Sequence, residues 1–242
     1  MSKSMTLKSG ATAFWRSTGS LLRVLPIQRV VRGLKRRGVD LSSRHGLDVY
    51  GGTGFRTTRH YAPLLRSLEV WEINPNFEAA LRRNVPGAHI KTTDSYEELK
   101  RTDRRYSYIV LDSPLEKHGG HTEHFDVFPD IFRVMDDDCV LVIHVFPEAD
   151  PRTLDNPDYK RLGLFDEEHL ARRRSFYKTD HSEKMTLEQL AAHYRGLLEK
   201  NDFTPEWHFY VRRWELRHYI PLPISNYYLV VKTRHTRRSS PS

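Results

Sequence analysis

An acidic residue leads from an apolar run into a glycine-rich turn at Leu47-Asp48-Val49-Tyr50-Gly51-Gly52-Thr53-Gly54. Glycine has no Cβ atom, so the backbone N–H groups of such a turn approach a ligand closely. A strand that ends in this way is typical of nucleoside-binding folds with a parallel sheet. An ordinary strand-to-helix connection has a similar composition, so the turn alone leaves both interpretations open. If it binds a ligand, the expected contacts come from Asp48, Tyr50, Gly51, Gly52 and Gly54.

Short apolar runs alternate with helical patterns on both sides of this turn. We predict strands at residues 47–50, 67–73, 89–92, 106–111 and 139–145, and helices at residues 57–65, 76–84, 95–101 and 125–135. Such alternation favours right-handed βαβ crossovers and a parallel sheet with helices on both faces.

The pattern changes after residue 184. A helix predicted at residues 185–200 precedes two β-rich runs, residues 207–219 and 227–233, which are separated by Pro221 and Pro223. Proline cannot donate to a sheet ladder, so the two runs are expected to form a hairpin. The sequence therefore predicts an α/β fold whose seven-stranded sheet is mostly parallel and ends in a C-terminal antiparallel hairpin.

Carboxylates follow the other predicted strands. Glu72 ends the second strand about 20 residues after the glycines, the separation at which a carboxylate accepts hydrogen bonds from both hydroxyls of a ribose. Asp94 follows the third strand and is also a candidate N-cap for the next helix. Asp112 follows the fourth strand, where it either meets a ligand or caps a turn before Pro114.

Three segments together resemble the class I S-adenosylmethionine-dependent methyltransferases over residues 40–234. They are the glycine turn, Glu72-Ile73-Asn74-Pro75, and Tyr108-Ile109-Val110-Leu111-Asp112-Ser113-Pro114. The resemblance implies a Rossmann-like fold and S-adenosylmethionine as the cofactor. Tyr50 stands where the family has the first of three alternating glycines, so the match is partial. The same segments also resemble the spermidine-synthase branch, although residues 1–39 are predicted to be helical where that branch has a β-hairpin domain.

The resemblance also implies roles for residues at the strand ends. Asp94 takes the place of the carboxylate that binds the adenine amino group, and Asp112 faces the acceptor as the candidate catalytic residue. A carboxylate there orients a nucleophilic amine or hydroxyl, or takes its proton. Ser113 and Pro114 are expected to face the substrate. Nucleic-acid amino methyltransferases carry a second proline and an aromatic residue at this place, so Leu115 disfavours methylation of a base.

A histidine-rich loop follows Pro114. His118, His121 and His124 recur at intervals of three between glycines. We expect His118 and His121 to face the substrate, as part of a lid or as a base; an ordinary polar loop is the alternative. Because glycines interrupt the loop, no metal site is predicted.

Positive charge is concentrated at the two ends of the chain. Residues 1–39 contain nine Lys and Arg and no Asp or Glu, and residues 235–242 form a second basic tail. The N-terminal extension is predicted to be a helix that packs on the domain, with a polyanion- or membrane-surface-binding arm and a targeting segment as alternatives. Nucleic-acid contact through these termini is one expectation.

The remaining composition bounds the class of protein. No apolar run approaches the roughly 20 residues of a membrane-spanning helix, so no integral membrane association is expected. Cys139 is the only cysteine, which rules out an internal disulfide and suits a cytoplasmic location. Residues 148–184 form a charged insertion, which either covers the substrate or presents a solvated helical face. The sequence leaves the oligomeric state open.

These observations support three functional hypotheses. The first is an S-adenosylmethionine-dependent methyltransferase acting on an unidentified acceptor. The second is an aminopropyltransferase that uses decarboxylated S-adenosylmethionine. The third is a methyltransferase-like binding module without catalysis, which Tyr50 favours and which Glu72 and Asp112 oppose.

Overall fold

The computed structural model describes residues 24–112, 124–128, 130–148, 157, 165–213, 216–217, 220–221 and 226–236. Seven strands form the main sheet: β1 (His45–Asp48), β2 (Ser67–Glu72), β3 (His89–Thr92), β4 (Tyr106–Leu111), β5 (Met135–Val145), β6 (Phe203–Arg213) and β7 (Asn226–His235). The helices are α1 (Pro26–Arg36), α2 (Glu78–Asn84), α3 (Ser95–Arg101), α4 (Asp130–Arg133), α5 (Glu167–Tyr177) and α6 (Leu187–Lys200). Between β6 and β7, Leu216–Arg217 pairs with Ile220–Pro221.

The strand order of the main sheet is β3-β2-β1-β4-β5-β7-β6. The first five strands are parallel, and β7 pairs antiparallel with both β5 and β6. This confirms the predicted α/β fold with a C-terminal antiparallel hairpin. The chain moves outward in opposite directions from β1 and β4, which creates a crevice beyond their carboxyl ends, where ligands bind in such sheets.

Helices cover both faces of the sheet because alternate residues of each strand point to opposite sides. One face carries α1 and α2 and buries Tyr108 and Val110 of β4. The opposite face carries α3, α4, α5 and α6 and buries Ile109 and Leu111 of the same strand. We call these the α1 face and the α6 face.

Helix α1 begins at Pro26, whose fixed φ angle suits the first helical position. Its buried side chains, Ile27, Val30, Val31 and Leu34, recur at helical spacing and join the core of the α1 face. The helix therefore shares its core with the sheet. Residues 1–23 and 237–242 lie outside the described residues, as do residues 149–156 and 158–164 of the predicted insertion, so the proposed domain boundaries remain predictions.

Two predicted helices are wrong. Residues 57–65 form two 3-10 turns, Thr58–His60 and Ala62–Leu64, because Pro63 lacks an N–H group and disfavours a helical residue before it. Residues 125–135 form the 3-10 turn Phe125–Val127, the short α4 and the start of β5, with Pro129 between the first two in the sequence.

Among the helices of the described residues, none has the length and apolar character that a bilayer crossing requires.

Candidate functional site

The three glycines of the turn after β1 differ in whether packing requires a residue without a Cβ atom. A Cβ atom on Gly51 would lie 2.3 Å from Val70 Cγ1, and one on Gly54 would lie 2.6 Å from Val85 Cγ2, so both positions need glycine for packing. Gly52 has a φ angle of +53°, and no atom lies within 4 Å of the place that its Cβ would take. Packing among the described residues therefore does not require glycine at position 52, which is half-buried and has open space in the direction of a Cβ atom.

Two backbone N–H groups hold the buried carboxylate of Glu72 beside Gly52. The Gly52 N–H donates to Glu72 Oε2 at 2.6 Å, and the Asn74 N–H donates to Glu72 Oε1 at 2.8 Å. Each carboxylate oxygen has two lone pairs, so each can still accept one more hydrogen bond. A fixed carboxylate with two free acceptor positions fits the vicinal hydroxyls of a ribose.

Asp94 caps α3. Its carboxylate accepts a hydrogen bond from the Tyr96 N–H at 2.9 Å, as an N-cap residue does. The geometry accounts for one of the two roles expected from the sequence, and the role in binding adenine remains a prediction. Next to it, Ser95 donates its hydroxyl to the Val49 carbonyl at 2.6 Å, which ties the start of α3 to the glycine turn.

Tyr50, which replaces a glycine of the family pattern, packs on the α6 face. Its hydroxyl donates to the Tyr96 hydroxyl at 3.3 Å, and the two ring centroids are 6.4 Å apart. The side chain thus occupies volume beside the first turn of α3, next to Asp94.

Asp48 anchors the loop that follows the glycines. Its Oδ2 accepts hydrogen bonds from the Thr58 hydroxyl at 2.6 Å and the Tyr61 hydroxyl at 2.5 Å. Burial raises the pKa of Asp48 to about 6, against the opposing effect of these hydrogen bonds. All the donors are neutral, so the carboxylate lacks a compensating cation, and its contacts within the domain are those of a structural anchor.

Asp112 lies at the centre of a polar cluster at the end of β4. Arg213 Nη1 donates to Asp112 Oδ1 at 2.5 Å, while the hydroxyls of Thr57 and Tyr228 donate to Oδ2 at 3.0 and 2.9 Å. The ring Nδ1 of the fully buried His144 lies 3.6 Å from Oδ1. Both lone pairs of Oδ2 are therefore used, and Oδ1 keeps capacity for a further donor.

Sequence reasoning missed the partners of Asp112. Arg213 and Tyr228 stand 101 and 116 residues further along the chain, on β6 and β7. The guanidinium of Arg213 also lies 4.7 Å from the centre of the Tyr228 ring. The predicted hairpin places these strands at the sheet edge, but no local pattern indicates which of their side chains reach β4.

Four predicted substrate-facing residues, Ser113, Pro114, His118 and His121, lie outside the described residues. The third histidine of that loop, His124, is buried, and its Nε2 is hydrogen-bonded to the Tyr194 hydroxyl, which in turn bonds the Tyr177 hydroxyl at 3.0 Å. His124 is thus part of the packing between the loop and helices α5 and α6.

A cleft of about 330 Å³ opens at the same edge of the sheet, beyond β5. It is lined by Pro147, Glu148, Thr186, Leu187, Glu188 and Tyr227. Tyr227 precedes Tyr228, the partner of Asp112, and Glu148 follows β5 closely. The cleft therefore lies one strand beyond β4, on the side away from Glu72.

Comparison with solved structures shows the fold. The chain superposes on TYW2 of M. jannaschii, solved in complex with AdoMet, with a TM-score of 0.51 and 12% identity, over 88% of this chain and 78% of that one. It superposes on the N-methyltransferase NodS from Bradyrhizobium japonicum WM9, solved with S-adenosyl-L-homocysteine, with a TM-score of 0.50 and 15% identity, over 88% and 90% of the two chains. The chain has the Rossmann-like fold of class I methyltransferases. No family model and no curated protein sequence matches it.

Proposed function

We propose that this protein binds S-adenosylmethionine at the glycine turn and transfers its methyl group to an acceptor. The observation that carries the proposal is the junction of Gly52 and Glu72. The Gly52 backbone, at a positive φ angle, faces open space, and its N–H group fixes a carboxylate that keeps two acceptor positions. The ligands of TYW2 and NodS, AdoMet and S-adenosyl-L-homocysteine, support a ligand of this class.

Some residues of the chain would bind the donor, and others would position the acceptor. Glu72 would accept the ribose hydroxyls, the backbone at Gly52 would approach the ligand, and Asp94 would accept from the adenine amino group. The positive sulfonium of the donor supplies its own leaving group, so the protein contributes mainly proximity and orientation. The remaining acceptor capacity of Asp112 Oδ1 would orient a hydroxyl or amine of the acceptor.

Substituting Gly52→Ala tests the donor site with a matched control. The new methyl group enters the space that the ligand would take, whereas Gly38→Ala places the same group in open space away from the site at a similar positive φ angle of +73°. Both variants pay a similar backbone strain of about 1–2 kcal/mol.

Calorimetry measures the affinity of each variant for S-adenosylmethionine and S-adenosylhomocysteine. We expect Gly52→Ala to lose at least about tenfold in affinity, or ~1.4 kcal/mol, and Gly38→Ala to bind like the wild type. Equal affinities in the two variants would contradict the placement of the donor. A wild-type protein that binds neither ligand at millimolar concentration would overturn the function and leave a binding module.

The aminopropyl alternative is separated by the choice of donor. Residues 26–36, in the region where the spermidine-synthase branch has a β-hairpin domain, form α1, and this observation favours methyl transfer. A thermal-shift comparison of S-adenosylmethionine with its decarboxylated form, each with putrescine present, is expected to show the larger stabilisation with S-adenosylmethionine. A larger shift with the decarboxylated donor and putrescine would reverse the assignment.

A further inference from the structure

The stretch from residue 24 to residue 66 is the most basic part of the described chain. It contains nine Lys and Arg and two Asp and Glu, so its formal charge is 9 − 2 = +7. Of the two acids, Asp48 is buried. The stretch forms α1, β1 and the loop after the glycine turn, so most of its cations lie on one side of the molecule, the α1 face.

Eight of these nine cations form no ion pair with a carboxylate of the described residues. Arg44 pairs with Asp138 at 2.8 Å. The other eight make no ion pair within the described residues: Arg29, Arg32, Lys35, Arg36, Arg37, Arg56, Arg59 and Arg66. On the α6 face, by contrast, Lys100 pairs with Glu97 and Arg172 with Glu168, each at 2.9 Å. The α1 face therefore keeps a positive potential that favours a polyanion.

Three of the four exposed cations of α1 form a stripe. Arg29, Arg32 and Arg36 are exposed and stand at positions i, i+3 and i+7, which places them on one side of the helix. The opposite side of α1 is buried against the sheet. Because its apolar residues are already used, α1 cannot insert into a lipid surface as an amphipathic helix does.

The stripe continues into the loop that follows the glycine turn. At the start of α1, Gln28 Nε2 lies 3.5 Å from His60 Nδ1, and Arg59 Nε donates to His60 Nε2 at 3.2 Å. The Arg59 guanidinium in turn lies 3.7 Å from the centre of the Phe55 ring. A continuous set of contacts thus leads from α1 to Phe55, next to Gly54.

Phe55 is one of the exposed large hydrophobic side chains, with 51% of its surface accessible. An exposed ring beside a guanidinium group offers a stacking platform for a nucleobase, and unpaired arginines offer partners for the phosphates. A duplex keeps its bases stacked on each other, so such a platform favours a single strand.

We propose that the α1 stripe (Arg29, Arg32 and Arg36) together with Phe55, Arg56 and Arg59 binds single-stranded nucleic acid. Phosphates contact the arginines and one base stacks on Phe55. The binding is independent of the donor site. Phe55 lies beside the glycine turn, so the bound strand would also carry the methyl acceptor. This last step rests on the proposed methyl transfer.

Fluorescence anisotropy with a labelled single-stranded RNA of about 15 nucleotides tests the surface in the full-length protein. The variant carries Arg29→Glu and Arg32→Glu. The control carries Arg195→Glu and Lys200→Glu, two exposed cations of α6 that make no ion pair within the described residues, so both proteins lose the same net charge.

We expect the α1 variant to bind at least about tenfold more weakly at roughly 50 mM salt, and the slope of log affinity against log salt to fall by about 1.4, or ~0.7 for each lost phosphate contact. The α6 control is expected to stay within about twofold of the wild type. Equal losses of RNA affinity in the two variants would contradict the proposal that the α1 stripe is the binding surface. Phe55→Ala is expected to weaken binding about fivefold or more without changing the slope, and an unchanged affinity would overturn the stacking.

Two further sets of measurements test the choice of partner and distinguish failure of this proposal from failure of the proposed function. Duplex DNA or vesicles of anionic phospholipid that bind more tightly than the single strand would overturn the choice of partner. S-adenosylmethionine binding is expected to be unchanged in the α1 variant, and RNA binding is expected to be unchanged in Gly52→Ala. A protein that binds the single strand but no donor would refute the donor site alone.

Discussion

The carboxyl ends of β2 and β4 carry the same chemical group in two different settings. Glu72, at the end of β2, is held by backbone N–H groups of its own turn and of the glycine turn. Asp112, directly after β4, is held by side chains from the glycine-turn loop, β6 and β7, and His144 of β5 lies beside it. The first carboxylate is fixed by local backbone geometry, and the second by tertiary contacts.

The difference predicts that the two carboxylates contribute unequally to the stability of the fold. The Glu72 side chain is buried, but its partners are two backbone N–H groups and both of its oxygens keep acceptor capacity, so its removal should affect a ligand more than the fold. Asp112 joins β4 to the antiparallel hairpin, and its partner Arg213 has only 13% of its side chain exposed. Removal of Asp112 takes a carboxylate away from that largely buried cation, so the fold should suffer first.

The largest expected effect comes from Asp112→Ala. Removing one partner of a fully buried ion pair costs about 3–5 kcal/mol; this pair is largely but not fully buried, so we expect the lower end of that range, about 3 kcal/mol. We expect a loss of this size in the free energy of unfolding measured with urea. Replacing both partners, Asp112→Leu with Arg213→Met, should recover most of it. A loss under about 1 kcal/mol for Asp112→Ala would show that the cluster adds little to stability.

The next effect concerns Asp48, whose pKa of about 6 in the folded protein lies above its ordinary value of 3.8. The folded state therefore favours the protonated form, and this stabilisation is present below pH 3.8 and lost as the pH rises through about 6. Relative to Asp48→Asn, which does not titrate, the wild type should gain on the order of 3 kcal/mol between about pH 8 and pH 4.

Urea unfolding of both Asp48 proteins at several pH values measures this gain. A difference in unfolding free energy that stays constant with pH would mean that Asp48 titrates as it does in the unfolded chain.

The smallest effect on stability is expected for Glu72→Ala. The two N–H groups that it frees belong to Gly52 and Asn74, which are only half-buried, so water can reach them and the free energy of unfolding should fall by about 1 kcal/mol or less. Affinity for S-adenosylmethionine should fall at least about tenfold, since two charge-assisted hydrogen bonds to the ribose are lost. Glu78→Ala, which removes the exposed partner of Arg82, serves as the binding control. A stability loss as large as that of Asp112→Ala would remove the distinction between the two carboxylates.

The local sequence pattern was sufficient to predict a strand or helix where neighbouring residues in the sequence fix its conformation. Residues 89–92 and 106–111 are strands with the predicted bounds. In residues 106–111 every residue is buried, as the apolar character of that run predicts, whereas in residues 89–92 only Ile90 is buried. The same reasoning gave a wrong helix at residues 57–65. Their helical pattern competes with Pro63 and with the burial of Tyr61, whose hydroxyl reaches Asp48.

The sequence by itself determined the order of the strands along the chain, the hairpin, and the carboxylates that follow the parallel strands at one edge of the sheet. Those features follow from periodicity, from proline and glycine, and from the rule that parallel strands end together. Only the tertiary structure decided that Gly52 borders open space while Gly51 and Gly54 are packed, and that Arg213 and Tyr228 engage Asp112. Such contacts depend on which side chains of distant strands face each other, and this is set by sheet register and packing, which leave no local mark in the sequence.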